Sequence, residues 1–314
     1  MSRFPNSVKV ALALPVVWIT VGSAFVALKL GIAEVPPFLF SGARFLGVGL
    51  LLLLWSAWRT GWHLGLRRGD LLIAAATGAG MIMAGQGSAS WATQYLTPGI
   101  VAVLSSTMPI WAVVLSMALV HTRPGPIAMV GLLTGFAGVA LLAWPAGGSR
   151  IATLPALITL VGAMGWGAGS LLVSRSEIAR RPVLMTGLQM LVGGFLQFGL
   201  GLAGGELNSL SARHLNAALP VFAYLVAVPG LIGFPILTWL FTKVELHVVN
   251  TTAYVVPVVA LVLGWLVLGE MVTVRTLACV AVTLAGVGLI VLGSRRRASQ
   301  PEAEESTSGV EEAA

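Results

Sequence analysis

Long apolar runs separated by short polar links fill the chain from about residue 10 to residue 293. Runs of about 20 apolar residues with few charges are what a helix needs to cross a bilayer. The pattern predicts ten spans. Five fall at about 10–30, 37–58, 71–93, 98–120 and 126–144, and five more at about 154–174, 183–203, 217–240, 248–268 and 274–293. Short links make hairpins of neighbouring helices and leave no room for an inserted domain.

The second set of spans repeats the first. A shift of 148 positions carries Pro109 to Pro257, Ala137 to Ala285, Gly138 to Gly286, Gly85 to Gly233 and Trp91 to Trp239. Further upstream a shift of 145 pairs Gly22 with Gly167, Pro37 with Pro182, Gly42 with Gly187 and Gly49 with Gly194. Three extra residues in one loop reconcile the two shifts. Five spans per unit is an odd number, so tandem copies must enter the membrane from opposite sides. The expected architecture is an all-α integral membrane protein of ten transmembrane helices in two inverted five-helix repeats. Its parts are an N-terminal segment 1–9, repeats at 10–144 and 154–293, and an acidic, disordered cytoplasmic tail at 294–314. Inverted repeats are common in secondary transporters, whose substrate site lies near the midplane between the halves. A duplicated scaffold that moves nothing is the duller alternative.

Composition agrees. Hydrophobic residues make up 57% of the chain and charged ones 9%, with a mean hydropathy of +0.94, where a soluble domain carries about 25% charged residues. The net charge of +7 hides five glutamates after Arg297, so the body stands at +12. With the N-terminus inside, thirteen Lys and Arg residues fall in cytoplasmic links and four on the other side. That bias places both termini in the cytoplasm and explains the positive charge without nucleic acid. Arginine outnumbers lysine, as in many GC-rich bacterial genomes, which suggests a bacterial inner membrane. The single cysteine, Cys279, lies in an apolar run and makes no disulfide framework or metal cluster. The first run exceeds the usual h-region of a signal peptide and is followed by many spans, so it reads as a retained helix.

At this point the residues resemble the EamA family of the drug/metabolite transporter superfamily. The matching pieces are GSAFVALK (Gly22 to Lys29), PPFLFSGARFL (Pro36 to Leu46), TAYVVPVVALVLGWLVLGE ending at Glu270, and the final LAGVGLIVL. Their order, spacing and duplication over residues 10–293 carry the likeness. The resemblance implies a ten-helix inverted-repeat carrier with a central cavity, in a family that includes exporters of amino acids and other metabolites. Two departures stand out. Val21 occupies a place where the family often has tryptophan, which survives in the second half as Trp166. The LGE ending at Glu270 has only Val120, His121 and Thr122 as its first-half equivalent.

Candidates for the mechanism follow from what lipid forbids. Pro109 and Pro257 sit near mid-span and each frees a carbonyl four residues earlier, that of Ser105 and of Ala253. They read as symmetric hinges or as merely structural kinks. Pro229, Gly230, Gly233 and Pro235 suggest a broken eighth span, although its mate has no comparable prolines. Glycines crowding the third and sixth spans, and those of the fifth and tenth, read first as close helix packing. Aromatic and amide residues within spans are the substrate-cavity candidates: Trp18, Gln86, Trp91, Trp166, Gln189, Trp239 and Tyr254, with Ser105 adding a hydroxyl. A tryptophan near a span end can equally be an interfacial anchor.

Arg44 is the basic residue well inside a span, roughly 10 Å from its end at about 1.5 Å per residue. Burying it costs about 2.5–3.5 kcal/mol on insertion scales. It reads either as the group that captures a substrate carboxylate or, more simply, as half of a structural pair with Glu34 or Glu270. Its repeat mate is Gln189. No Asp or Glu lies near a span centre, which argues against a buried carboxylate relay and for a facilitator or exchanger, or for coupling through an end-placed group.

The functional expectation is a secondary transporter of small metabolites, an amino-acid or related exporter working by alternating access. A multidrug or nucleotide-sugar carrier and a non-transporting scaffold are the alternatives. A membrane-embedded enzyme would need a nucleophile with its base, or a metal cluster, inside the spans, and the sequence offers neither. No cofactor or metal is expected. The expected partners are a small-molecule substrate and the lipid bilayer, and the oligomeric state is open between monomer and homodimer.

Overall fold

The computed structural model describes residues 6–120, 125–143, 153–174, 176, 181–243 and 252–298. The His121–Thr122 equivalent of the LGE motif, Trp144, Asn250–Thr251 and the tail beyond 298 lie outside the described residues. Among those described, every regular element is helical. They are α1 (Asn6–Ile32), α2 (Pro37–Arg59), α3 (Arg68–Thr77), π1 (Gly78–Gly87), α4 (Ser88–Ala92), α5 (Pro98–Ser105), α6 (Met108–Val120) and α7 (Pro126–Ala143). The second half holds α8 (Thr153–Ser174), α9 (Pro182–Ala203), a 3-10 turn (Glu206–Ser209), α10 (Ala212–Leu225), π2 (Val226–Gly233), α11 (Phe234–Lys243), α12 (Thr252–Leu268) and α13 (Val274–Ala298). The last helix thus runs past the boundary at 293 read from the sequence.

Seven helical stretches are long and apolar enough to cross a membrane: Lys9–Ile32, Pro37–Arg59, Arg68–Ala92, Pro98–Ala118, Thr153–Val173, Pro182–Ala203 and Ala212–Leu240. Three shorter apolar helices, Pro126–Leu141, Val255–Leu268 and Val274–Ile290, accompany them.

Local chemistry sets the ends. Pro37 and Pro98 open α2 and α5, where a missing N–H costs nothing. Ser211 accepts from the His214 N–H at 3.4 Å to cap α10. Gly61, Gly205 and Gly269 turn the links at positive φ. Polar contacts gather the links at two ends. At one, Lys29 Nζ donates to the Thr93 carbonyl at 2.5 Å, and Arg275 Nη2 to that of Leu141 at 2.9 Å. Glu206 there accepts from the Leu39 N–H at 2.8 Å and the Phe38 N–H at 3.4 Å, a carboxylate on the positive end of α2 supplied from another helix pair. At the other end Arg181 Nη1 donates to the Leu64 carbonyl at 2.5 Å.

The two prolines proposed as symmetric hinges differ. Pro109 follows a real break, since α5 stops at Ser105 and α6 begins at Met108. There the Ser106 and Thr107 hydroxyls donate to the carbonyls of Val103 and Leu104 at 2.7 and 2.6 Å, satisfying groups that lipid could not. Pro257 lies inside an unbroken α12. The eighth span is not cut at its prolines either. It widens into π2, and the third span widens into π1 at the same place, because a shift of 148 carries Gly78 onto Val226 and Gly85 onto Gly233.

Glycines bring helices into backbone contact, as expected where packing rather than burial from water drives association. The contacts come in repeat-related couples. Gly42 lies against Phe198, and its mate Gly187 against Leu53. Gly49 meets Leu191, and Gly194 meets Leu46. Gly22 faces Val259, and Gly167 faces Trp111. Gly138 touches Thr283, and Gly286 touches Gly135. In each couple the shifts of 145 or 148 exchange one contact for the other. The pairs α2–α9 and α7–α13 pack on themselves under this exchange, while α1–α12 becomes α8–α6.

Candidate functional site

A small cavity opens where α1, α2, π1, α10, π2 and α11 converge. Its wall is Val21, Ala24, Phe25, Leu28, Arg44, Phe45, Val48, Gln86, Leu225, Pro229, Gly230 and Phe234. The space is about 20 Å³, room for about one water. As it stands this cavity has no room for a metabolite.

Two of the expected residues meet there. Arg44 is 5% exposed, and its Nη2 faces Gln86 Oε1 at 3.5 Å, the long limit of a hydrogen bond. Its guanidinium carbon lies 4.3 Å from the Phe45 ring centroid, so one face of the cation rests on an aromatic ring. Arg44 Nε is buried and has no hydrogen-bond partner among the described residues. Neither Glu34 nor Glu270 reaches it, which overturns the expected structural pair. Glu34 lines an outer cleft instead. Glu270 is half-buried, folds back toward Gly264, and interacts with Lys29. Burial pushes its carboxyl above the ordinary carboxylate range, and the Lys29 ammonium pulls it partly back.

Trp166 joins the site through rings. Its ring centroid lies 6.4 Å from Phe234, which lies 6.4 Å edge-on from Phe45. Behind Gln86, its own carbonyl accepts from the Ser90 hydroxyl at 2.8 Å, and the Ser90 and Ser41 hydroxyl oxygens lie 2.9 Å apart. Gln189 is buried on α9 but contacts Met81 Sδ at 3.8 Å and is not in the wall. Trp91 lies against Tyr95, ring centroids 5.0 Å apart and tilted by 54°, in a cleft of about 650 Å³ shared with Glu34, Glu206 and His214. Trp239 packs in the Val17–Leu240 cluster. Trp18 is half-buried with its indole N–H unpartnered among the described residues, away from the wall. Ser105 closes α5 at the break, and the Tyr254 side chain lies outside what is described.

Sequence reasoning missed Phe45, Phe234 and Gln197. The repeat contained a signal for Phe234, because it is the mate of Gln86. Gln197 is fully buried and donates from Nε2 to the Ile82 carbonyl inside π1 at 2.6 Å. A wide helical turn leaves carbonyls poorly paired, and this amide takes one of them.

Among the described residues every regular element is a helix, and the many apolar spans with glycine-lined contacts and a buried polar cluster between them fit an integral membrane protein of the transporter type. The EamA-like transporter family matches twice, over residues 9–144 and 153–292, and the chain belongs to that family. It is 31% identical to the uncharacterized inner membrane transporter YedA of Escherichia coli over 90% of this chain and 89% of that one. It is 30% identical to a probable terminal-alkyne amino-acid exporter of Streptantibioticus cattleyicolor, over 76% of this chain and 81% of that one. A solved crystal structure, 20% identical, matches the fold with a TM-score of 0.63 over 92% of this chain and 99% of that one.

Proposed function

We infer that the chain is a secondary transporter of the inner membrane, built of ten spans in two inverted repeats and moving a small metabolite by alternating access. The observation that carries this reading is the exchange of glycine contacts between the halves. A contact between one residue and the mate of another, repeated with the roles reversed, is what a two-fold axis between two copies produces. An odd number of spans per copy then turns the copies against each other across the membrane. The excess of basic residues in one set of links favours cytoplasmic termini, which makes the Lys29–Glu270 end the outer one. The nearly closed cavity fits an occluded state, and the repeat-related π1 and π2 beside it are the elements whose rearrangement would open it to either side. The name of one relative favours amino acids or related metabolites as cargo, moved outward.

The test is solute exchange in proteoliposomes preloaded with an unlabelled L-amino acid and challenged with its labelled form. Accelerated exchange over protein-free vesicles supports the reading; the absence of exchange for amino acids, organic acids and organic cations alike overturns it. Topology is checked separately. Leu207→Cys should react with an impermeant maleimide from outside intact cells, and Trp62→Cys only after permeabilisation. Labelling of both from the same side would end the inverted arrangement.

A further inference from the structure

The cavity names a class of cargo. Arg44 is the charged side chain of its wall, buried at mid-bundle with no acid to neutralise it among the described residues. The described acids are committed or placed elsewhere. Glu206 accepts from the first turn of α2, Asp70 from the Arg67 N–H at 2.9 Å, Glu270 interacts with Lys29, and Glu34 lines the outer cleft. A buried cation without a counter-charge is costly, and such residues within spans mark substrate paths. Nε and Nη2 form one edge of the guanidinium, the edge that grips a carboxylate through two parallel hydrogen bonds. Here Nε has no partner among the described residues and Nη2 has only the long contact to Gln86. One face of the cation rests on the Phe45 ring, which leaves the edge free to pair.

We propose that Arg44 binds the carboxylate of the transported solute through Nε and Nη2, with Gln86 as the neutral partner that holds the fork in place when the site is empty. This rests on the transporter reading of the cavity. The remaining wall is aliphatic and aromatic, including Val21, Phe25, Val48, Leu225 and Phe234. The ligand is a small carboxylate on an apolar body. An amino acid fits if its ammonium meets Gln86 Oε1 rather than an acid. A cavity of about 20 Å³ cannot hold such a body, so binding has to move the Phe45–Phe234 ring pair or π2.

The experiment compares a parent amino acid with one analogue that lacks the carboxylate charge and one that lacks the ammonium. Purified protein is melted with L-leucine, L-leucinamide and 4-methylpentanoate, and then with the matching triads of the other apolar amino acids. The two carboxylates of at least one triad should stabilise the protein and the amide should not. Arg44→Gln should weaken carboxylate binding at least tenfold and erase the difference from the amide. Arg44→Lys should keep the preference at lower affinity, and Gln86→Leu should keep it with a change of only a few-fold. These two variants retain the charge and decide the matter if Arg44→Gln fails to fold. Equal stabilisation by acid and amide, an Arg44→Gln protein that binds the acid as the wild type does, or no binding in any triad overturns the proposal. Exchange of any solute by the same preparation in proteoliposomes would leave the transport reading standing in each of those cases.

Discussion

Arg44 and Gln86 touch each other in the first half, and their repeat mates in the second half are Gln189 and Phe234. The sequence shifts relate these four positions; their chemistry differs. One side of the cavity offers a charge and an amide, the other an aromatic ring set edge-on to Phe45. The same division runs through the π segments. The Ile82 carbonyl of π1 is held by Gln197, whereas the mates of that pair are Gly230 and Leu52, which have no amide to exchange. On the alternating-access reading proposed above, a carrier needs two halves alike enough to trade conformations and unlike enough to recognise an asymmetric solute. The repeat-related glycine contacts fit the first requirement, and polar residues present in one copy alone fit the second.

Breaking the shared scaffold should cost most. A Cβ on Gly286 would lie 2.5 Å from Gly135 Cα, and one on Gly194 would lie 2.7 Å from the Leu46 backbone nitrogen. Gly286→Leu and Gly194→Leu are expected to destabilise the protein by about 3 kcal/mol or to prevent assembly, since overpacking backbone against backbone has no relief. Thermal unfolding in detergent measures this. Losses of similar size in both variants would show that the α2–α9 and α7–α13 contacts each hold the repeats together, and a tolerated Gly286→Leu would refute the α7–α13 contact. Next in size is Gln197→Leu, which would make π1 resemble π2. Leaving a buried carbonyl unpaired costs about 1–3 kcal/mol, and amide exchange around Ile82 should quicken while that around Gly230 stays unchanged. Smallest of the three is Gly47→Ala. A Cβ there meets nothing within 4 Å, so the gain in helix propensity, about 0.5–1 kcal/mol, should appear uncancelled.

The scaffold was largely legible in the sequence and the site only in part. Spans and duplication are written in runs of apolar residues and in glycines at fixed shifts, both of which lipid enforces strictly. Arg44 and Gln86 were found because polar groups at mid-span are rare. Phe45 and Phe234 escaped because an aromatic residue in an apolar run carries no mark of whether it faces lipid or cavity. The π turns escaped for a related reason: glycines permit them but also permit an ordinary helix, and the decision lies in partners such as Gln197, 115 positions from Ile82 in the chain. The pairing of Arg44 with an end-placed acid failed because Lys29, on the neighbouring helix, interacts with Glu270.

Glu270 sharpens the comparison once more, because its mate in the first half is Thr122 and any acid–base behaviour at this helix end is one-sided. The carboxyl is half-buried beside Gly264, and burial raises it above the ordinary range against the pull of Lys29. A raised carboxyl binds its proton more tightly in the folded state than in the unfolded one. Its contribution to stability is therefore fully present below the unfolded value and is lost as pH rises through the folded value. Melting temperature should accordingly fall from about pH 4.5 toward neutrality, and Glu270→Gln, which cannot ionise, should flatten that part of the curve. Lys29→Met removes the opposing ammonium, moves the folded value higher and carries the fall to higher pH. Melting curves for wild type and Glu270→Gln that run parallel across this window would show that the half-buried carboxyl does not couple to folding. That end would then be held by hydrogen bonds such as Lys29–Thr93, Glu206–Leu39 and Arg275–Leu141.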